Sequence, residues 1–431
     1  MRRRITGTRA GILCSVLVMA TFVGCQLTSL TGRDSPDTKN YLSYALRLSG
    51  ESRASATARA IDYTCVDEAA QRSARECVRK LTASAAYWTR HGNTSGMTGP
   101  FLNTRFMSIY EARPGYPLLL VPFIAVFGLV LGVWLAGVAV ALAGSLFVLA
   151  TLRAAGAGGA AALCGQVLYL TLPTGTVAML PMADGLTLAC TSAVALGCTL
   201  VLDGKRRTAG ALLVTCGLSV AFLARYSQAL LLAGALAAAF AGLACHRKRR
   251  GRPHRPALGL FVLCGGLAAA MQLTTYVLGW PSGHDSAQDL LTHHYQHPDV
   301  PDPWPAFLTA ERVFWSAWVD HQLREPLLLI TLTLAACATL RRPTCLGLLA
   351  AATAAGGVLN QAGHPNLDML AGQRLIVLVW FLPVLAIPQL LTPRIGSGSP
   401  DETAPAPGTN PRGRGRQPTA TAATALPRLH H

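Results

Sequence analysis

The sequence predicts an all-α, polytopic integral membrane protein of about ten transmembrane helices. Of its 431 residues, 51% are hydrophobic and only 13% are charged, where about 25% charged is usual in soluble domains. The apolar residues fall in blocks of about 17 to 25, long enough to cross a hydrocarbon core of about 30 Å. The net charge of +17 gathers in short clusters at block ends, at residues 2–4, 205–207, 247–250 and 341–342. Such clusters stay on the cytoplasmic side and orient the helices, and they suit anionic headgroups. No aromatic residues are interleaved with them to stack bases, so no nucleic acid is expected as a partner.

Taken in order, residues 1–10 form a basic cytoplasmic terminus and residues 11–30 the first span. This start resembles a signal peptide, and Phe22-Val23-Gly24-Cys25 a poor lipoprotein cleavage site; the many spans that follow favour an uncleaved helix. Residues 31–115 then make a long extracytoplasmic segment with one or two surface helices. At its end two prolines bracket Gly115-Tyr116, which predicts a bend and not a continuous helix. Spans two to seven follow within residues 116–279, at 128–152, 158–179 (with Pro173), 186–202, 209–223, 229–244 and 257–278. Residues 280–325 form a second extracytoplasmic segment, read as a flexible polar loop. Spans eight to ten occupy residues 326–391, and a cytoplasmic tail at 392–431, rich in Pro, Gly, Thr, Ala and Arg, is expected to be disordered. Alternation from a cytoplasmic start puts every basic cluster inside.

Most cysteines lie within apolar blocks and read as small buried residues. Cys65 and Cys77 lie in the first polar segment, where an oxidising compartment would let them pair. Spacing alone does not show whether their geometry permits it.

A charge at the centre of a transmembrane helix costs about 2.5–3.5 kcal/mol, and no expected span carries one near its middle. Asp34, Asp37, Asp184, Arg225, Asp368 and Arg374 all fall at the outer ends. A proton-coupled transporter usually needs ionisable groups at mid-depth, so a site at the outer surface is expected instead.

The layout resembles the GT-C superfamily of polytopic glycosyltransferases, which includes protein mannosyltransferases and aminoarabinose transferases. The carrying features are Asp37-x-x-x-Tyr41-x-x-x-Ala45 directly after the first span, Arg113-Pro114-Gly115-Tyr116-Pro117 at the return to the membrane, Ala183-Asp184-Gly185 opening a span, and Leu223-Ala224-Arg225-Tyr226 ending one. They cover roughly the amino-terminal half. The resemblance implies a sugar donor carried on a polyprenyl phosphate, and transfer to an acceptor hydroxyl of a glycan, lipid or protein on the outer face of the cell membrane.

That chemistry needs a general base for the acceptor and fixed cations for the departing phosphate. Asp37 is the first choice for base and Asp34 the second, although Asp37 also stands where an N-cap belongs for a helix from Thr38. Arg225 and Arg374 are candidate phosphate ligands. Asp184 either orients an acceptor, pairs with Arg225 or caps the fourth span. Arg113 and Tyr116 shape a donor groove or simply the bend. His284, Asp285, His293, His294 and His297 match no defined metal spacing. Some members of the superfamily use a divalent metal, so the resemblance leaves one open, but no Asp-x-Asp pair is present. Two rival readings are a transporter or flippase of lipid-linked glycans and a non-catalytic scaffold of the same layout.

Overall fold

The computed structural model describes residues 2–30, 35–68, 74–204, 206–341, 344–367 and 374–392. Asp34, Lys205, Arg342, Asp368 and the tail at 393–431 lie outside the described residues. Among those described there are seventeen α-helices and no strand. Within lipid the backbone must satisfy its own hydrogen bonds, which helices do segment by segment.

Six helices are long and apolar enough to cross a membrane. They are α1 (Arg2–Gln26), α7 (Leu129–Ala154), α10 (Ala183–Asp203), α11 (Arg207–Arg249), α12 (Arg255–Val277) and α16 (Cys345–Ala362). A seventh crossing arises if α14 (Trp304–Arg324) and α15 (Leu327–Arg341), bent by 88°, count as one. The chain is thus a multi-pass membrane protein, with fewer separate long helices than expected. The difference has local causes. The fifth and sixth expected spans join in α11, whose 43 residues are interrupted only at Arg225, at φ −151° and ψ 84°. Straight, at about 1.5 Å per residue, α11 would be far longer than a hydrocarbon core of about 30 Å. The third expected span is cut in two, α8 (Gly159–Thr171) and α9 (Pro173–Ala178), because Leu172 is extended ahead of Pro173. The tenth alternates between 3-10 turns and α17 (Phe381–Ala386).

The first polar segment is more ordered than expected. It holds four helices: α2 (Thr38–Leu48), α3 (Arg53–Glu68), α4 (Ala74–Arg90) and α5 (Thr104–Glu111). Ala56 and Ala60, one turn apart and fully buried, let α3 lie close on α2. Cys65 and Cys77 are joined by a disulfide that ties α3 to α4. Tyr41, Leu42, Ala45, Leu46, Ile61 and Phe106 build a core distinct from that of the long helices. The bend expected at Arg113 to Pro117 is confined to Ala112 to Pro114. Beyond it α6 (Gly115–Phe127) runs as a continuous helix despite Pro117 and Pro122. Gly115 is needed there: a Cβ would sit 2.7 Å from the Ala224 nitrogen, so only glycine lets α6 start against α11 beside its kink.

The second polar segment is not the flexible loop expected. It contains α13 (Gly283–Leu291), closed by a Ser282–Asp285 capping box, and α14. It is fastened to the first segment. Arg105 on α5 donates to Asp299 at 2.7 Å and to Asp285 at 3.0 Å, and Asn103 Nδ2 donates to the His294 carbonyl at 2.6 Å.

Candidate functional site

Where the two polar segments meet the ends of the long helices, six elements deliver charged or phenolic groups to one place. Asp37 comes from the start of α2, Tyr110 from the end of α5, and Arg113 from the bend after it. Asp184 comes from the first turn of α10, Arg225 from the break in α11, and Arg374 from the strand of chain leading into Val377–Trp380. That last stretch is pinned by Asn360 on α16, whose Nδ2 donates to the Leu375 carbonyl at 2.8 Å.

Asp37 precedes α2, but its carboxylate makes no capping bond. The hydroxyls of Ser35 and Thr38 serve the local backbone: Ser35 N donates to Thr38 Oγ1 at 2.8 Å and Asp37 N to Ser35 Oγ at 3.3 Å. The carboxylate turns inward instead. Tyr110 Oη donates to Asp37 Oδ1 at 2.7 Å, and Arg374 Nη2 donates to Oδ2 at 2.6 Å. Arg374 also lies 3.8 Å from Asp184 Oδ2, and Arg225 donates to Asp184 Oδ1. Asp184 does not cap α10: it sits within the first turn, after Met182 at the N-cap. Asp37, Asp184 and Arg225 are all buried.

Burial by itself would raise Asp37, but the Arg374 guanidinium and the Tyr110 hydrogen bond hold it down at about 2. Asp37 is therefore ionised at neutral pH and strongly committed to its partners. Among the described residues, three guanidiniums face two carboxylates here, one positive charge in excess. Among the described residues the Nε–H groups of Arg113, Arg225 and Arg374 are buried without a hydrogen-bond partner, that of Arg374 standing 3.8 Å from Asp184 Oδ2. Unsatisfied buried donors on cations are costly, and a small anion would satisfy them. Tyrosines wall the site: Tyr41 meets Tyr110 and Tyr116 edge-on at 5.5 and 5.6 Å, and Arg113 lies 5.8 Å from the Tyr226 ring.

Of the residues singled out from the sequence, Asp37, Asp184, Arg225, Arg374 and Arg113 converge here. Tyr116 packs behind Tyr41. Among the described residues, no group of three or more His, Cys, Asp or Glu side chains could hold a metal ion. Asp285 is occupied with Ser282 and Arg105. Sequence reasoning missed Tyr110. Nothing local marks Tyr110, since its partner lies 73 residues away. The chain matches no protein-family model, no curated protein and no solved structure.

Proposed function

We propose that this protein is a membrane glycosyltransferase of the GT-C type. It moves a sugar from a polyprenyl phosphate to an acceptor hydroxyl at the extracytoplasmic face. One observation supports this above the rest: among the described residues two carboxylates and three guanidiniums converge at the ends of apolar helices, and the buried Nε–H groups of all three arginines make no hydrogen bond. The phosphate of a lipid-linked donor would take those donors. Its polyprenyl chain would lie against the apolar helices, many of whose side chains are exposed. The same cations stabilise the phosphate as it leaves, and drawing Arg374 onto the phosphate frees Asp37 to accept the proton of the acceptor hydroxyl. In this reading ten segments cross or enter the membrane, α11 counting as two at Arg225. Both termini are cytoplasmic, and the Cys65–Cys77 bridge lies in an oxidising compartment.

The test is transfer by the purified full-length protein from a panel of synthetic decaprenyl-phosphate hexoses and pentoses. Asp37→Asn is expected to lower turnover at least about 100-fold, within the range for a lost general base, with Asp34→Asn as its comparison. Full activity in both variants would remove the base assignment. Absence of transfer together with absence of co-purifying polyprenyl phosphate would remove the reading itself and favour a scaffold.

A further inference from the structure

The long helices carry a second concave place at the end away from the ionic seam. α10 joins the two: Asp184 in its first turn belongs to the seam, and Asp203, its last residue, lines a cavity of about 320 Å³. At about 1.5 Å per residue, the 21 residues of α10 span about 30 Å, one hydrocarbon core. The cavity therefore stands at the opposite membrane surface, among the basic clusters.

Separate parts of the chain enclose it: the turn after α7 at Gly156, the end of α10, Arg247 near the end of α11, the first turn of α16, and Gln389 and Thr392 of the last segment. Several polar groups in this wall are already turned to one another or to their own helix. Thr344, the N-cap of α16, donates through Oγ1 to Gln389 Oε1 at 3.0 Å and accepts from Gly347 N at 3.1 Å. Thr199 Oγ1 donates to the Ala195 carbonyl at 2.8 Å.

Arg247 differs. It is half-buried, and among the described residues it forms no ion pair. Its Nη2 donates to Cys345 Sγ at 2.9 Å, and a thiol is a weak acceptor. Taking a guanidinium out of water against such a partner is poorly compensated. Cys345 and Leu346, whose N–H groups open the 18-residue α16, line the same cavity. A guanidinium beside those donors suits a phosphate oxygen. Charge decides which phosphate. The lining holds the cation of Arg247 and the carboxylate of Asp203, so a multiply charged anion is poorly matched, whereas a phosphodiester carries a single charge. Leu202 and Leu346 offer apolar surface beside it, as the glycerol ester of a lipid needs.

We infer that this cavity binds the phosphodiester of a membrane phospholipid, with Arg247 and the start of α16 as its anion ligands. Basic pockets between transmembrane helices hold headgroups in this way. The inference does not depend on the glycosyltransferase reading. The segment that carries Arg374 at the seam reaches this cavity with Gln389 and Thr392, so the lipid fastens its far end.

The test is chemical protection of Cys345. The full-length protein, with its exposed free cysteines and Cys164 replaced by alanine, is freed of lipid in detergent and modified with N-ethylmaleimide. Dihexanoyl phosphatidylglycerol should slow the modification of Cys345, whereas dihexanoylglycerol, which lacks the phosphate, should not. Arg247→Gln should raise the concentration for half-protection by about tenfold or more, as for a lost hydrogen bond to a charged group. Lys248→Gln, an exposed neighbour, should leave it unchanged. The diglyceride comparison needs no Arg247 variant, so it holds even if Arg247→Gln fails to fold. Equal protection by the diglyceride would mean apolar filling and overturns the inference. Protection by inorganic phosphate at the concentrations at which the lipid acts would point to a free ion and overturns it too, as would an unchanged half-protection concentration in a folded Arg247→Gln.

Discussion

Asp37 and Arg374 stand 337 residues apart and meet at 2.6 Å. Their pairing sets a pH dependence whose sign is fixed. A carboxyl lowered from 3.8 to about 2 contributes stability that is fully present above about 3.8 and is lost as pH falls through about 2. Arg374→Gln removes the cation that does most to lower it. The acid side of the thermal-stability profile should then begin at higher pH, and neutral stability should fall by about 3 kcal/mol, as for a buried pair losing one partner. Melting temperatures of both proteins between pH 2 and 7 check this; an unmoved acid side would mean that another group sets it. Asp37, Asp184, Arg225 and Arg374 were legible in the sequence because each is a charge at the end of an apolar block, where lipid excludes idle ions. Tyr110 was not, since an ordinary tyrosine gains meaning only from a partner far along the chain.

Helix breaks decided which elements could be read. Pro173 marks a break inside a segment read as one span, and the signal was there, since proline removes a backbone donor. The break at Arg225 carried no such signal: Leu223 to Tyr226 contains neither proline nor glycine, and the expected division into two spans came from hydropathy alone. The four helices of the first polar segment were undercounted because their buried faces meet each other and not lipid, which weakens any apolar block. The second segment read as loose for the same reason, its order coming from α5. Arg105 holds it by two carboxylates and stacks over Tyr295 at 4.2 Å. At 41% side-chain exposure these ion pairs are screened, so Arg105→Ala should cost no more than about 1 kcal/mol globally. Local opening should respond more. Amides of residues 283–300 are expected to exchange hydrogen faster in the variant, while those of α7 and α10 stay unchanged. Equal exchange throughout would show that Asn103 and Phe106 suffice.

For the whole molecule, two cores meet at one ionic seam: the first polar segment packs around Tyr41 and Leu46, the long helices around residues such as Leu188 and Leu218. The proposed sidedness rests on the basic clusters, which it places inside. In a background without the exposed native cysteines, Ala54→Cys on α3 should react with an impermeant maleimide from outside the cell. Gly251→Cys, beside the cluster at 247–250, should react only after permeabilisation. The reverse pattern would invert the assignment. The long reach of the Asp37–Arg374 contact also bears on how the protein is made. Chains are built from the amino terminus, so Asp37 emerges early and stays without its counter-ion until nearly nine-tenths of the chain has been threaded. Assembly at the membrane therefore ends at the seam itself, and a ribosome that stops short of Arg374 releases a bundle with its helices inserted and its centre unlocked.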